Sequence, residues 1–308
     1  MFKNYGNTCF LNCILYTFYY SSALSSLLDL KQKQLEKDKK EKSFITILQS
    51  TIQDEKALPD LIKYLSVSFP QYSYGQQFDA SELLLYILDH LKSDWYSVKL
   101  ETEKICIYCQ TMERNILITN CTLLYDSGNN FSDALMNLNR EVLDQHCNQC
   151  HNTTRQLNNI KITPPLLWCL QFPSNQKSQN VLLPTEFEYI SDSIRYRYCL
   201  VSVVVHIKMK KDSGHYITFI HCDKRVYKAK VKKTKSFDSL RTSSSTESIR
   251  ESLTNVDISC TFSNKAKFLK CDDEEVTVLN GTEMYKNLAL PNHHLYLVWY
   301  QLIDKKQE

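Results

Sequence analysis

The chain has 308 residues, 43% hydrophobic and 23% charged, a composition that supports a globular protein with a sizeable core. Its formal net charge of +3 is far from the strong basicity that binds nucleic acids or membranes through charge, so neither partner is expected. Twelve scattered cysteines, four of them in two Cys-x-x-Cys pairs, fit a reducing compartment, nucleus or cytoplasm, better than a secreted disulfide scaffold.

Residues 9–28 are apolar enough to resemble a signal peptide, but Asn7, Thr8 and Asn12 interrupt their start and only Lys3 precedes them. Leu11, Ile14, Leu15 and Phe18 have helical spacing instead, with Asn7 or Thr8 available as N-cap. The polar run 31–42 reads as a solvated helix face or loop. Helical pieces are predicted around 43–67, and a helix over 79–92 carries Leu84, Ile87, Leu88 and Leu91 on one face. Elsewhere no apolar run reaches the roughly 18 residues of a membrane span.

Beyond Trp95 the pattern changes. Strands are predicted at 114–119, 159–162 and 166–172, with a short helix around 132–138. Residues 198–208, 215–221, 275–279 and 295–301 are rich in β-branched and aromatic residues and read as a further set of strands. Residues 223–262, basic and then Ser/Thr-rich, predict a mobile insertion.

Cys106-x-x-Cys109 and Cys147-x-x-Cys150 supply four thiolates, the donor set of a closed tetrahedral zinc site. The long connection between them suggests β-hairpins projecting with the metal at their tip. His146 and His151 flank the second pair as alternative ligands, and four unligated thiols are the plainer alternative.

Cys9 lies where a loop enters a helix, in Asn4-Tyr5-Gly6-Asn7-Thr8-Cys9-Phe10-Leu11-Asn12. A helix N-terminus favours a thiolate, and Gly6 allows a sharp turn before it. The competing reading is a buried apolar cysteine. His215, in Ser213-Gly214-His215-Tyr216, follows a flexible turn into a strand and is the best-placed imidazole, against the alternative of an ordinary strand-end histidine. Asp79 and Glu82 read as the two halves of a helix capping box.

Gly6-Asn7-Thr8-Cys9-Phe10-Leu11-Asn12 resembles the cysteine box of ubiquitin-specific proteases, and Val203 to His206 with Ser213 to Tyr216 resembles their histidine box. Cys271-Asp272-Asp273-Glu274-Glu275-Val276 resembles the acidic element that follows, with Cys271 where Phe is usual; taken alone it would read as a solvated acidic turn. Gln76-Gln77-Phe78-Asp79-Ala80-Ser81-Glu82 resembles the glutamine box. The resemblance implies an α+β, papain-like cysteine peptidase with a helical thumb (1–98), zinc-bearing β fingers (99–160) and a β palm (161–308). It implies Cys9 as nucleophile, His215 as base, Asp272 as its orienter with Asp273 the second choice, and Asn4 as oxyanion donor, with His206 structural. Gln77, Asp79, Glu82, Gly214 and Tyr216 become contacts for ubiquitin, and zinc a structural cofactor of the fingers. The implied activity is hydrolysis after the C-terminal glycine of ubiquitin on modified proteins. A WD40-repeat activator is implied by likeness to one branch of the family. The alternative is a catalytically silent ubiquitin-binding module.

Overall fold

Helix α1 (Cys9–Tyr20) is buried without a break from Cys9 to Phe18, Asn12 and Thr17 included. A helix buried all round belongs in a core, so the stretch 9–28 that resembled a signal sequence forms this buried helix and the beginning of the next one, with a break at Ser21. In this computed structural model, residues 1–37, 44–69, 75–106, 108–124, 130–137, 140–172, 182–210, 213–227 and 257–307 are described.

Helices α2 (Ser22–Lys37), α3 (Phe44–Gln53) and α5 (Ala80–Leu91) pack on α1, and a 3-10 turn (Glu55–Ala57) and α4 (Leu58–Ser68) pack on α3. Pro59 near the start of α4 occupies a position where its missing N–H costs nothing. The polar run from residue 31 begins as an exposed face of α2 and then leaves the described residues. Ile14, Leu15, Phe18, Leu48, Leu61, Ile87 and Leu88 meet in one cluster, each burial stabilising by about 1.5–3 kcal/mol against exposure. Among the described residues no helix is long and apolar enough to cross a membrane.

Next come β1 (Val98–Ile105), β2 (Met112–Thr119), the short β3 (Thr122–Leu123), α6 (Phe131–Asn137), β4 (Arg140–His146) and β5 (Thr153–Thr163). Four of these strands form an antiparallel sheet in the order β2-β1-β5-β4. The chain continues through β6 (Leu167–Gln171), β7 (Glu186–Ser191), β8 (Ile194–Lys210), β9 (Ser213–His221), β10 (Asp257–Thr261), β11 (Lys267–Asp272), β12 (Glu275–Asn280), α7 (Gly281–Leu288) and β13 (His293–Gln307). The nine-stranded sheet runs β12-β11-β9-β8-β13-β6-β3, with β7 pairing β8 and β10 pairing β7.

This larger sheet is covered on both sides. Tyr216 and Ile220 of β9 enter the cluster around α1, whereas Ile217 and Phe219 enter a second cluster with Trp168, Phe187 and Tyr300. The alternation is the two-residue period of a strand. A polar seam fixes α1 to the sheet: the Cys13 carbonyl accepts from Thr17 Oγ1 at 3.1 Å and Thr218 Oγ1 at 3.2 Å, and Ser202 Oγ donates to Thr17 Oγ1 at 3.2 Å.

The expected insertion is narrower than 223–262. Arg225 bonds Asp223 and Glu186, Val226 is fully buried, and Tyr227 stacks on Tyr20 with ring centroids 5.5 Å apart. At the other end β10 pairs with β7, Ile258 opposite Tyr189. A few apolar and paired groups at each end anchor the chain where average composition suggested none. Residues 228–256 of that expectation lie outside the described residues.

Candidate active site

Gly6 (φ +79°) and Asn7 (φ +67°) both adopt left-handed backbone, the conformation that glycine and asparagine enter most cheaply. The chain thereby turns back before α1, and the Asn7 amide donates to the Gly75 carbonyl at 2.6 Å. Thr8 holds the N-cap position without capping through its side chain, because its hydroxyl accepts the Tyr5 N–H at 3.0 Å. Cys9 is the first residue of α1 and only 2% exposed. Its sulfur therefore stands at the positive end of the helix dipole, under cover.

His215 lies near the start of β9, and its Nε2 is 2.6 Å from Asp272 Oδ1. Asp272 ends β11, and its other oxygen is 3.3 Å from Lys270 Nζ. The Asp272 carboxylate foremost, and then the Cys9 sulfur, raise His215 to about 10 against the opposing effect of burial. Asp272 is correspondingly lowered, chiefly by its bond to His215. With Nε2 committed to Asp272, Nδ1 is the nitrogen left for sulfur.

Asp273, at φ +49°, is enclosed by three residues of the N-terminal segment. Asn4 Nδ2 donates to Oδ2 at 2.7 Å, Asn12 Nδ2 donates to Oδ1 at 2.8 Å, and Tyr16 Oη donates to its carbonyl at 2.5 Å. Its Oδ2 is 3.9 Å from His215 Nε2. Asp272 thus binds the imidazole, while Asp273 ties the acidic turn to α1. The Asn4 amide is oriented at its other end by the Thr8 N–H, which donates to Oδ1 at 3.1 Å. One hydrogen of the Asn4 amide is thus directed at Asp273. Asn12 and Tyr16 were not singled out by sequence reasoning. Both were findable, since Asn12 lies within the cysteine motif and Tyr16 is one helical turn further along the same face.

Gln77 grips the residue before the histidine. Its Nε2 donates to the Gly214 carbonyl and its Oε1 accepts the Gly214 N–H at 2.8 Å. Gly214 is required sterically: a Cβ there would lie 2.0 Å from His206 Nε2. The His206 ring stacks on Tyr216 at 4.6 Å, which leaves Tyr216 8% exposed. Asp79 caps α5, accepting from Ser81 N at 2.7 Å and Glu82 N at 3.4 Å; Tyr296 Oη donates to its second oxygen. Glu82 stays exposed rather than closing the expected box. The capping box occurs instead at α7, between Asn280 and Glu283. Phe10 meets Phe78 edge to face at 5.5 Å, joining the start of α1 to the glutamine-rich segment.

The two Cys-x-x-Cys segments are the turns of two hairpins, β1–β2 and β4–β5, and they are built alike. Gln110 N–H donates to the Cys106 carbonyl and His151 N–H to that of Cys147, both at 2.9 Å; Gln110 and His151 both have positive φ. The sulfurs of Cys106, Cys109, Cys147 and Cys150 all lie within 4.8 Å of one another, with Cys106–Cys150 at 3.7 Å and Cys109–Cys147 at 3.6 Å. Zn–S bonds of about 2.3 Å in a tetrahedron require sulfur separations near ~3.8 Å, so the four thiols fit the ion. His151 serves as a turn residue outside this group, and the His146 side chain lies outside the described residues.

Thiol, imidazole and carboxylate on a helix facing a sheet define a cysteine peptidase of papain type. The family profile for ubiquitin carboxyl-terminal hydrolase, UCH, matches residues 2–300, and the chain belongs to that family. It is a deubiquitinating cysteine protease of the ubiquitin-specific type. No curated protein sequence matches it. Among solved structures, the chain is similar to the SAGA DUB module of Ubp8, Sgf11, Sus1 and Sgf73 bound to monoubiquitin, with TM-score 0.69, 16% identity, and coverage of 99% of this chain and 69% of that one. It is also similar to that module bound to ubiquitin aldehyde, with TM-score 0.70, 15% identity, and coverage of 99% and 70%. The yeast SAGA module with a mutant Sgf73 gives TM-score 0.65 at 16% identity, with coverage of 99% and 68%. At these identities the likeness concerns the fold.

Proposed function

We propose that Cys9 attacks the carbonyl carbon of the C-terminal glycine of ubiquitin, with His215 as its acid and base and Asp272 as the group that orients the imidazole. The supporting observation is the 2.6 Å bond from Asp272 to His215 Nε2, which commits that nitrogen to the carboxylate and leaves Nδ1 for the Cys9 sulfur. His215 carries the proton at neutral pH and gives it to the leaving amine; it then draws a proton from water, which releases ubiquitin from the acyl-enzyme. The free hydrogen of the Asn4 amide is the donor for the oxyanion, and Asp273 is the second-choice orienter, 3.9 Å from Nε2.

Of the two acids assigned to the basic ubiquitin tail, Glu82 offers an exposed carboxylate, while Asp79 contributes through its partly exposed edge. Gln77, Gly214 and Tyr216 border the path of the tail. Cys106, Cys109, Cys147 and Cys150 hold a structural zinc, which when bound joins the tips of the two finger hairpins. A WD40-repeat protein is the activating partner, and nucleus and cytoplasm, where free thiols persist, are the compartments.

The test is labelling with ubiquitin bearing a C-terminal thiol-reactive warhead, comparing wild type with Cys9→Ala. A ubiquitin-sized adduct lost in the variant is the expected result. A folded, zinc-loaded wild type that binds ubiquitin but forms no adduct, with and without a WD40-repeat partner, would identify a silent binding module.

A further inference from the structure

Cys121 and Cys169 belong neither to the active site nor to the zinc knuckles, yet their sulfurs lie 3.4 Å apart. β3 pairs with β6 in parallel, Thr122 opposite Leu170 and Leu123 opposite Gln171. One step back in that register, Cys121 stands opposite Cys169. Adjacent strands are about 4.8 Å apart, inside the roughly 4.4–6.8 Å of Cα separation that a disulfide spans. The sulfurs need to close by little more than an ångström to reach a bond of about 2.05 Å.

The surroundings hold this pair in register. Thr119 Oγ1 donates to the Cys121 carbonyl at 2.7 Å, Trp168 Nε1 donates to Thr122 Oγ1 at 3.0 Å, and Leu124 N–H donates to the Gln171 carbonyl at 2.8 Å. Both sulfurs are buried, Cys169 completely and Cys121 at 9% exposure, so Cys121 is the more accessible of the two. Cys121 leads out of the finger strand β2, and Cys169 lies in the palm opposite Trp299.

We propose that Cys121 and Cys169 form a dithiol–disulfide site that accepts two-electron oxidation by a hydroperoxide, linking the root of the fingers to the palm. The Cys121 sulfur attacks one peroxide oxygen, the O–O bond breaks, and the departing hydroxide takes a proton to leave as water. The resulting sulfenic acid is attacked at sulfur by Cys169; the S–O bond breaks, and hydroxide leaves with the Cys169 proton as a second water. Both thiols lose one electron each and the peroxide is reduced. A dithiol reductant reverses the bond.

The experiment treats the full zinc-loaded chain carrying Cys9→Ala with hydrogen peroxide, then alkylates, digests and maps the peptides. A cross-linked pair containing Cys121 and Cys169, lighter by two hydrogens, removed by reductant and missing in Cys121→Ser, is expected. Cys121→Ser is the control because it changes the less deeply buried member, whereas Cys169→Ser would place a hydroxyl in a fully enclosed position. Recovery of both cysteines as alkylated thiols, as separate sulfinic acids, or cross-linked to other partners would overturn the proposal. The readout is a covalent bond rather than activity, so it stands apart from the assignment of Cys9.

Discussion

At the scale of single residues, two adjacent aspartates have different tasks because their partners differ. Asp272 meets the imidazole at 2.6 Å, and Asp273 meets Asn4 and Asn12. Asp272→Asn removes the charge that raises His215 to about 10 and is expected to lower kcat by roughly 10²–10⁴-fold. A histidine raised in the fold contributes stability that is full below its unfolded value, about 6.5, and is lost as pH climbs through about 10. Asp272→Asn should therefore move the alkaline loss of both kcat/KM and Tm to lower pH, and an unchanged alkaline limb would contradict the orienting role. Asn12→Ala strands one oxygen of Asp273 and should cost about 1–3 kcal/mol in urea unfolding. Cys9, His215 and Asp272 stood out in the sequence because they lie in local motifs. Asp273's enclosure did not, because its donors lie 269 and 261 residues away along the chain.

At the scale of elements, the sequence periods translated directly. The four apolar residues at helical spacing in 79–92 face inward on α5, and the β-branched run of 198–208 became β8, central and covered on both faces. Less direct was the junction of β8 and β9, where His206 fills the space a side chain at 214 would need. Gly214→Ala is expected to push that ring away, disturb the Gln77 clamp, and reduce turnover of a minimal ubiquitin substrate far more than it lowers Tm. Restored activity in Gly214→Ala with His206→Ala would identify the clash as the cause. Asn280→Ala, which removes half of the α7 capping box, should cost about 1 kcal/mol of stability and leave kcat unchanged. The insertion was read too broadly because composition averages over a window. At one end Val226 is buried beside the Arg225 ion pairs, and at the other Ile258 is buried within the β10–β7 ladder.

At the scale of the molecule, one helix carries Cys9 and packs on a sheet that carries His215 and Asp272. The finger sheet has four strands whose two hairpins pair along β1 and β5, with the four cysteine sulfurs gathered at their tips. Chelating the zinc proposed for the four cysteines is expected to loosen that sheet, detected as faster amide exchange in 98–163. The two core clusters should keep most of their protection, because only the root of the finger sheet, Val98 and Ile162, contributes to them and the cysteines lie at its far end. Equal loss of protection throughout would show that the fingers and the rest fold as one unit.

The sequence by itself determined the reactive residue types, the motifs around them, the helical and strand periods, and the paired cysteine spacing. These are properties of neighbours along the chain, and backbone geometry converts them into local structure without reference to anything distant. Tertiary structure alone decided that α1 is enclosed on all sides, that Asp273 is held by the N-terminal segment, and that Cys121 faces Cys169 across β3 and β6. Each of these depends on strand order and sheet register, which are set by the summed burial of the whole chain and not by any short stretch of it.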